Sequence, residues 1–405
     1  MTIDALDRLL ETVEAAHIRL FPERCLNRRH KGAGCRFCIE GCPSEAITLD
    51  DPIALDLDHC LNCGLCLHLC PTEVFVQTSP PEDKLVEVLA SLPRGGVELA
   101  CHRQEQPGLT RADVAAVVQT KRCLAALSLP LLLDLAARGD GAIWLNDELC
   151  EGCALGGVQD EIVKVVDTAN RLLTIFGGQA RLFTYRSAPA SLLTAPRERP
   201  VVAGDQPRYS RRGFFTALSL SSRRTLATLI AEGLSSPGQE GSVPVEERLP
   251  QRLPLPRQRL QRSLARLGEP TVGEVEAEDL PFTAVEIAPS CSACGLCARF
   301  CPTGALAFVA TEGHFVLRLT LPDCLDCGLC ALICPSDSVS FPPRFEAAAL
   351  VDRLPRVLLA GELTPCAGCG ASCAATGDEP LCYVCRQKRD LLEDTRRLFA
   401  SVTEV

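Results

Sequence analysis

Sixteen of the 25 cysteines in this 405-residue chain fall into four runs, and each run ends in Cys-Pro. The runs are Cys25-x9-Cys35-x2-Cys38-x3-Cys42-Pro43, Cys60-x2-Cys63-x2-Cys66-x3-Cys70-Pro71, Cys291-x2-Cys294-x2-Cys297-x3-Cys301-Pro302 and Cys324-x2-Cys327-x2-Cys330-x3-Cys334-Pro335. Thiolates at such spacing suit [4Fe–4S] cubanes. Each iron corner needs one sulfur, and three cysteines two residues apart wrap a tight loop around one cube. The proline after the fourth cysteine turns the chain and has no N–H to satisfy. Disulfides and zinc are the competing uses of the same thiols.

Three of these runs resemble the bacterial ferredoxin run without a gap, and the first resembles it with an insertion. The resemblance implies two dicluster modules with crossed ligation, the fourth cysteine of each run serving the other run's cluster. Cluster 1 would then use Cys25, Cys35, Cys38 and Cys70, and cluster 2 Cys60, Cys63, Cys66 and Cys42. Cluster 3 would use Cys291, Cys294, Cys297 and Cys334, and cluster 4 Cys324, Cys327, Cys330 and Cys301. In the first run nine residues, Leu26 to Gly34, stand where two are expected, with a basic stretch Asn27-Arg28-Arg29-His30-Lys31 followed by Gly32-Ala33-Gly34. The insert reads as a solvated loop, as a docking surface for an acidic redox partner, or as a local charge that raises the potential of cluster 1.

Two further sets of cysteines lie outside the runs. Cys101, Cys123, Cys150 and Cys153 each fall at a predicted strand end, where α/β units collect ligands. An additional iron–sulfur cluster, zinc, and buried or free thiols are the alternatives there, with His102 a further candidate ligand. Lys121-Arg122-Cys123, then Gly139-Asp140-Gly141-Ala142-Ile143-Trp144, then Cys150-x2-Cys153 together resemble the delta subunit of methyl-viologen-reducing hydrogenase. That family joins hydrogenase to heterodisulfide reductase, and the resemblance implies a [2Fe–2S] cluster at the middle cysteines. Near the C-terminus, Cys366-x2-Cys369 and Cys382-x2-Cys385 look like the two knuckles of a zinc ribbon, a closed tetrahedral thiolate site. A fifth cubane or no metal are the alternatives, and Cys373 is spare or substitutes for one of the four.

The elements that must hold these residues are set by pattern. The fold class expected is α+β multidomain: two ferredoxin-like dicluster modules flank a small α/β unit, and a zinc-ribbon-like segment closes the chain. Residues 1–90 give an amphipathic helix over Met1 to Leu20 and the first module. Short strands come after the Cys-Pro turns, at Ala46 to Leu49 and Val74 to Val76. Residues 91–187 form the α/β unit, with strands at Val97 to Ala100, Ala115 to Val118, Ala142 to Leu145 and Ala180 to Tyr185. Its helices run from Ser128 to Ala137 and from Val158 to Phe176. Residues 188–280 lack Lys and are rich in Pro and Arg. Between 197 and 270, 13 Arg stand against 7 Asp plus Glu, a local charge of +6. This segment reads as a surface connector with short helices at 211–232 and 256–267, or as a basic face for a partner subunit. Residues 281–350 repeat the module, with strands at Ala305 to Val309 and Ser338 to Phe341. Residues 351–405 carry the ribbon and a charged helix over Arg386 to Val402.

Composition narrows the function. Aromatics are 4% of residues, so a large aromatic core is not expected, and clusters can replace core in small domains. The net charge of −10 does not suggest nucleic-acid binding. No apolar stretch is long enough to span a membrane, and the N-terminus lacks the basic start and apolar run of a secretory signal. Ser210-Arg211-Arg212-Gly213-Phe214-Phe215 resembles a twin-arginine motif but is internal, and Arg223-Arg224 interrupt any apolar run after it. Metal-ligand thiols without export indicate the cytoplasm. Gly-rich dinucleotide and Walker A fingerprints are missing, as is a nucleophile–base set, which assigns flavin or NAD chemistry to a partner. The modules resemble polyferredoxins and the iron–sulfur subunits of hydrogenases, heterodisulfide reductases and formate dehydrogenases. That implies an electron-transfer subunit between a catalytic or flavin-containing redox subunit and a second carrier such as a soluble ferredoxin. A reductase with its own substrate site at the middle cysteines, and a redox-sensing or assembly scaffold, are the alternatives.

Overall fold

In the computed structural model, residues 18–78, 80–138, 141–206, 249–374 and 380–402 are described. Each cysteine run ends in one short helical turn, at Phe37–Glu40, Cys66–Leu69, Leu296–Phe300 and Leu329–Leu332. The Cys-Pro step ends the turn, and a strand comes next: Ile47–Thr48, Phe75–Val76, Leu306–Thr311 and Val339–Ser340. In the first module Phe75–Val76 pairs antiparallel with Arg19–Leu20, and Ile47–Thr48 with Ala54–Leu55. The second module repeats this: Val339–Ser340 pairs with Glu286–Ile287, and Leu306–Thr311 with His314–Leu319. The helix expected over Met1 to Leu20 lies largely outside the described residues. Its last two residues are strand rather than helix, because register sets Leu20 opposite Phe75 in the module's small core.

Between the modules lies a parallel sheet of β1 (Val97–Ala100), β2 (Ala116–Gln119), β3 (Ile143–Asn146), β4 (Leu182–Thr184) and β5 (Val201–Ala203), in the order β5-β2-β1-β3-β4. Its inner strands are buried almost along their whole length, as strands covered on both faces of a parallel sheet are, with Glu98 and Asn146 the buried polar exceptions. Helix α1 (Leu129–Arg138) connects β2 to β3, and α2 (Gln159–Ile175) connects β3 to β4. Along α2, Ile162, Val166, Ala169, Leu172 and Leu173 form the buried stripe of a 3.6-residue period.

The segment over 188–280 is more than a connector. It supplies β5, so the sheet continues past the boundary expected at 187. It also supplies α3 (Leu255–Leu267), whose Leu260 and Leu264 join the sheet's core. On α3, Ser263 Oγ donates to Asp134 Oδ1 at 2.8 Å, and Gln261 Nε2 donates to Pro322 O at 2.9 Å. The helix therefore wedges between the α/β unit and the second module. Arginines on and just before it pair within the chain: Arg252 with Glu73, Arg259 with Asp83 and Arg266 with Asp134. The helix expected at 211–232 and the Arg211-Arg212 motif lie outside the described residues.

After the second module, Arg356–Glu362 adds a third strand to the Leu306–Leu319 hairpin. A small hairpin, Thr364–Pro365 with Ser372–Cys373, and α4 (Tyr383–Val402) come after it. One mainly aliphatic core runs from Leu65 and Leu85 through the sheet to Leu264, Phe282, Leu306 and Leu319. The first module keeps a small core of its own, built around Ile47, Ile53, Val74 and Phe75. No helix among the described residues is long and apolar enough to cross a membrane.

Candidate iron–sulfur and metal sites

Three of the runs turn the same way. The residue before the second cysteine and the glycine after it take positive φ: Asn62 and Gly64 (48° and 82°), Ala293 and Gly295 (54° and 68°), Asp326 and Gly328 (52° and 68°). Left-handed residues at these points curl the backbone so that N–H groups face an anion, and glycine takes the position at no steric cost. A second signature comes after the fourth cysteine. Glu45, Glu73, Gly304 and Asp337, each three residues on, also have positive φ. The hydroxyl two residues on meets the cysteine sulfur in every run: Ser44 and Thr72 at 3.7 Å, Thr303 and Ser336 at 3.6 Å. Reading the runs only as far as Cys-Pro overlooks this Ser or Thr, although its recurrence in all four repeats is legible in the sequence.

The interrupted run reaches the same end by another route. Asn27 donates from Nδ2 to Cys35 O at 2.7 Å and accepts from Cys35 N–H at Oδ1 at 2.9 Å. This two-point clasp closes the insert and brings Cys25 beside Cys35.

The cysteines gather in the crossed sets. Burial first, and then the neighbouring Cys70, Cys35 and Cys25, push the Cys38 thiol up to about 12. Cys66 is likewise raised by burial, then by Cys63, Cys60 and Cys42. Burial first, and then Cys291, Cys294 and Cys334, push Cys297 up to about 12. Cys330 is raised by burial, then by Cys324, Cys327 and Cys301. Cys291, Cys294, Cys297 and Cys334 line one cavity, and Cys301, Cys324, Cys327 and Cys330 another. Four half-buried thiols that repel one another as thiolates are a poor isolated arrangement. They become a good one around cationic metal, which deprotonates its sulfur ligands. Backbone N–H groups add support: Val74 donates to Cys70 Sγ at 3.4 Å and Ser338 to Cys334 Sγ at 3.3 Å. The residues present thus fit cubanes, which supply reversible one-electron chemistry.

Cations stand near these sets unequally. Arg24 lies beside Cys70 and also faces Glu73. Arg122 lies beside Cys63 but forks onto the buried Glu82. The last set has two arginines. Arg257, on the buried face of α3, donates to Pro281 O at 2.7 Å, stacks on Phe282 and faces Cys324. Its Nη1 has no hydrogen-bond partner among the described residues. Burial draws this guanidinium down to about 10, against the pull of Cys324, Asp326 and Asp323, so it stays charged at neutral pH. Arg29 is the second.

The middle cysteines converge as well. Cys101 comes just after β1, Cys123 after β2, and Cys150 and Cys153 after β3. Because β2 and β3 lie on opposite sides of β1, this is the switch point of the sheet at its carboxyl edge, where α/β folds place ligands. The four line a cavity of about 270 Å³ with His102 and Arg103. Burial pushes Cys123 up to about 11 and Cys150 up to about 12, and the neighbouring cysteines act in the same direction. Arg103 Nη1 stands 3.7 Å from Cys153 Sγ, and Leu155 N–H donates to the same sulfur at 3.4 Å. The site abuts the first module: Cys63 is among the groups acting on Cys123, and His68 Nε2 meets Ala125 O at 2.7 Å.

At the C-terminal end the sulfurs of Cys366, Cys369, Cys382 and Cys385 lie within 4.8 Å of one another. The N–H groups of Cys382, at 3.2 Å, and Gly368, at 3.4 Å, donate to Cys366 Sγ. These donors, Cys382 foremost, hold the Cys366 thiol down to about 6, ready to bind as thiolate. Cys373 is buried in the hairpin beside this set and is not one of the four. Ala374 N–H donates to Ser292 O at 3.2 Å, tying the segment to the loop that carries Cys291 and Cys294.

Residues 33–74 and 290–338 each match the family model of the 4Fe-4S dicluster domain. The first match begins after Cys25, and neither reaches the middle or C-terminal cysteines. No curated protein and no solved structure matches the chain. Two dicluster domains make this a ferredoxin-type iron–sulfur protein with an electron-transfer role and [4Fe–4S] clusters as its cofactors.

Proposed function

We propose that the chain is an electron-transfer subunit that relays single electrons between a catalytic redox subunit and another carrier in a cytoplasmic oxidoreductase complex. The observation that carries this is the continuity of the cysteine sets. Two dicluster modules, each with two crossed sets, flank a fifth set on the sheet edge, and Cys63 of the first module stands beside Cys123 of that fifth set. In this proposal the crossed sets are the ligands of four cubanes. Cys101, Cys123, Cys150 and Cys153 hold an additional iron–sulfur cluster, and Cys366, Cys369, Cys382 and Cys385 hold zinc as a closed structural site. The middle set is the station at which a partner delivers or collects electrons.

The test is metal content and redox titration of anaerobically purified protein. Four cubanes need about 16 Fe, and an additional cluster of two or four irons brings the total to about 18–20. Expected are about 18–20 Fe, one zinc and stepwise one-electron reduction. A protein holding zinc but little iron would refute the relay. The open cavity beside His102 and Arg103 favours a second reading, a reductase acting on its own substrate there. A change in the cluster spectrum on adding a substrate to the isolated chain would select it.

A further inference from the structure

The insert that interrupts the first run crosses to the other module. Cys25 precedes the short helical turn Leu26–Arg29, and Arg29 reaches the end of the Leu296–Phe300 turn. Its guanidinium donates from Nε to Phe300 O at 2.9 Å and from Nη2 to Cys301 O at 3.3 Å. The same head donates to Pro250 O at 2.9 Å and to Leu249 O at 3.1 Å. Four carbonyls thus accept from one planar fork, a pattern an ammonium group does not reproduce. His30 meets the Phe300 ring edge-on, with centroids 5.9 Å apart. Arg29 is ion-paired to no carboxylate among the described residues, and its charge acts on Cys301 and Cys327. Within the insert, Arg28 and Lys31 stay exposed, and of these three cations Arg29 alone is drawn out of solvent. The contact is within the chain, and the charge faces the other module.

We propose that the insert is the coupler between the two modules, with Arg29 fixing the Cys25, Cys35, Cys38, Cys70 site against the Cys301, Cys324, Cys327, Cys330 site and raising the reduction potential of the latter. This rests on the electron-transfer role. The path from Cys25 to Cys301 is four residues of chain and one hydrogen bond, and a positive charge favours the more negative, reduced state of whatever group the facing sulfurs hold. The exchange balances without a co-reactant: one module is oxidised by one electron as the other is reduced by one, and no bond is made or broken. Arg257 stands at the same set, so both arginines act on one station.

The experiment compares the full-length protein with Arg29→Gln and Arg29→Lys, all purified anaerobically. It reads iron per chain, midpoint potentials by EPR-monitored titration, and spin–spin broadening between modules in the fully reduced state. In Arg29→Gln, iron should be retained. One cluster's reduction equilibrium should fall by about tenfold, about 59 mV for one electron, and the broadening between modules should weaken. Arg29→Lys should restore most of the potential and little of the broadening, because it keeps the charge and gives up the fork. An Arg29→Gln protein with full iron, unshifted midpoints and an unchanged reduced spectrum would overturn the coupler. Should Arg29→Gln lose iron, Arg29→Lys decides: weakened broadening supports the proposal and an unchanged spectrum refutes it. Unaltered protein that holds no cubanes would instead remove the electron-transfer role itself.

Discussion

At the scale of single residues, side chains other than the ligands decide how each set is built. Asn27 shows this most simply. Its two hydrogen bonds to the backbone of Cys35 stand in for the tight loop that the other three runs form from positive-φ residues. Each such bond is worth about 0.5–1.5 kcal/mol net. Asn27→Ala should therefore loosen the Cys25, Cys35, Cys38, Cys70 site alone. Under a mild chelator, iron per chain should fall by about four, the content of one cubane, while the other clusters persist. Equal iron retention by variant and parent would show that the clasp is dispensable. The four sulfur–hydroxyl contacts after Cys-Pro belong to the same scale. They recur at the same offset in every run and place a polar group against each fourth sulfur, a kind of contact that sets cluster potentials.

At the scale of elements, the α/β sheet is the rigid support of the middle cysteines, and its tightest point lies away from them. Gly141 enters β3 where a Cβ would sit 2.4 Å from both the carbonyl carbon of Gly95 and the amide nitrogen of Gly96. Both neighbours are backbone and cannot swing aside. Gly141→Ala should cost about 1–3 kcal/mol through overpacking, read as earlier loss of β3 protection in hydrogen exchange. The module clusters should keep their iron. Unaltered protection would mean that the Gly95–Gly96 turn shifts freely. The same sheet shows how far pattern reaches. The strand pattern at 97–100, the apolar run at 142–145 and the 3.6-residue stripe of α2 place strands and helices within a residue or two of their observed bounds. The strand at Val201–Ala203 escapes such reading. It is three residues long among prolines and arginines, and only its pairing with β2 makes it a strand.

At the scale of the whole molecule, three features join what composition would separate. Helix α3 wedges Leu260 and Leu264 into the core shared by the sheet and the second module. The Arg356–Glu362 strand fuses the C-terminal segment to that module's hairpin. Arg29 bridges the modules directly. The middle set lines the cavity beside His102 and Arg103, next to the first module, and in the proposed relay it is a separate metal site. Replacing Cys101, Cys123, Cys150 and Cys153 together with Ser should remove about two to four Fe per chain and leave the cubane signals of both modules in place. Loss of no iron would leave the sheet edge as a docking surface without metal.

Local chemistry is what the sequence by itself determined. Cysteine spacing names the cluster type, because ligands two and three residues apart can reach one cube only by a turn the local chain must make. Apolar periodicity names the strands and helices of the sheet for the same local reason. Which sets face each other, where the basic insert points and what the arginine-rich segment does were decided only in the tertiary structure. Those contacts link residues far apart in the chain, such as Arg29 with Cys301 and Arg252 with Glu73. A charge run looks the same in sequence whether water, a partner or the chain's own carbonyls satisfy it, and only packing selects among them.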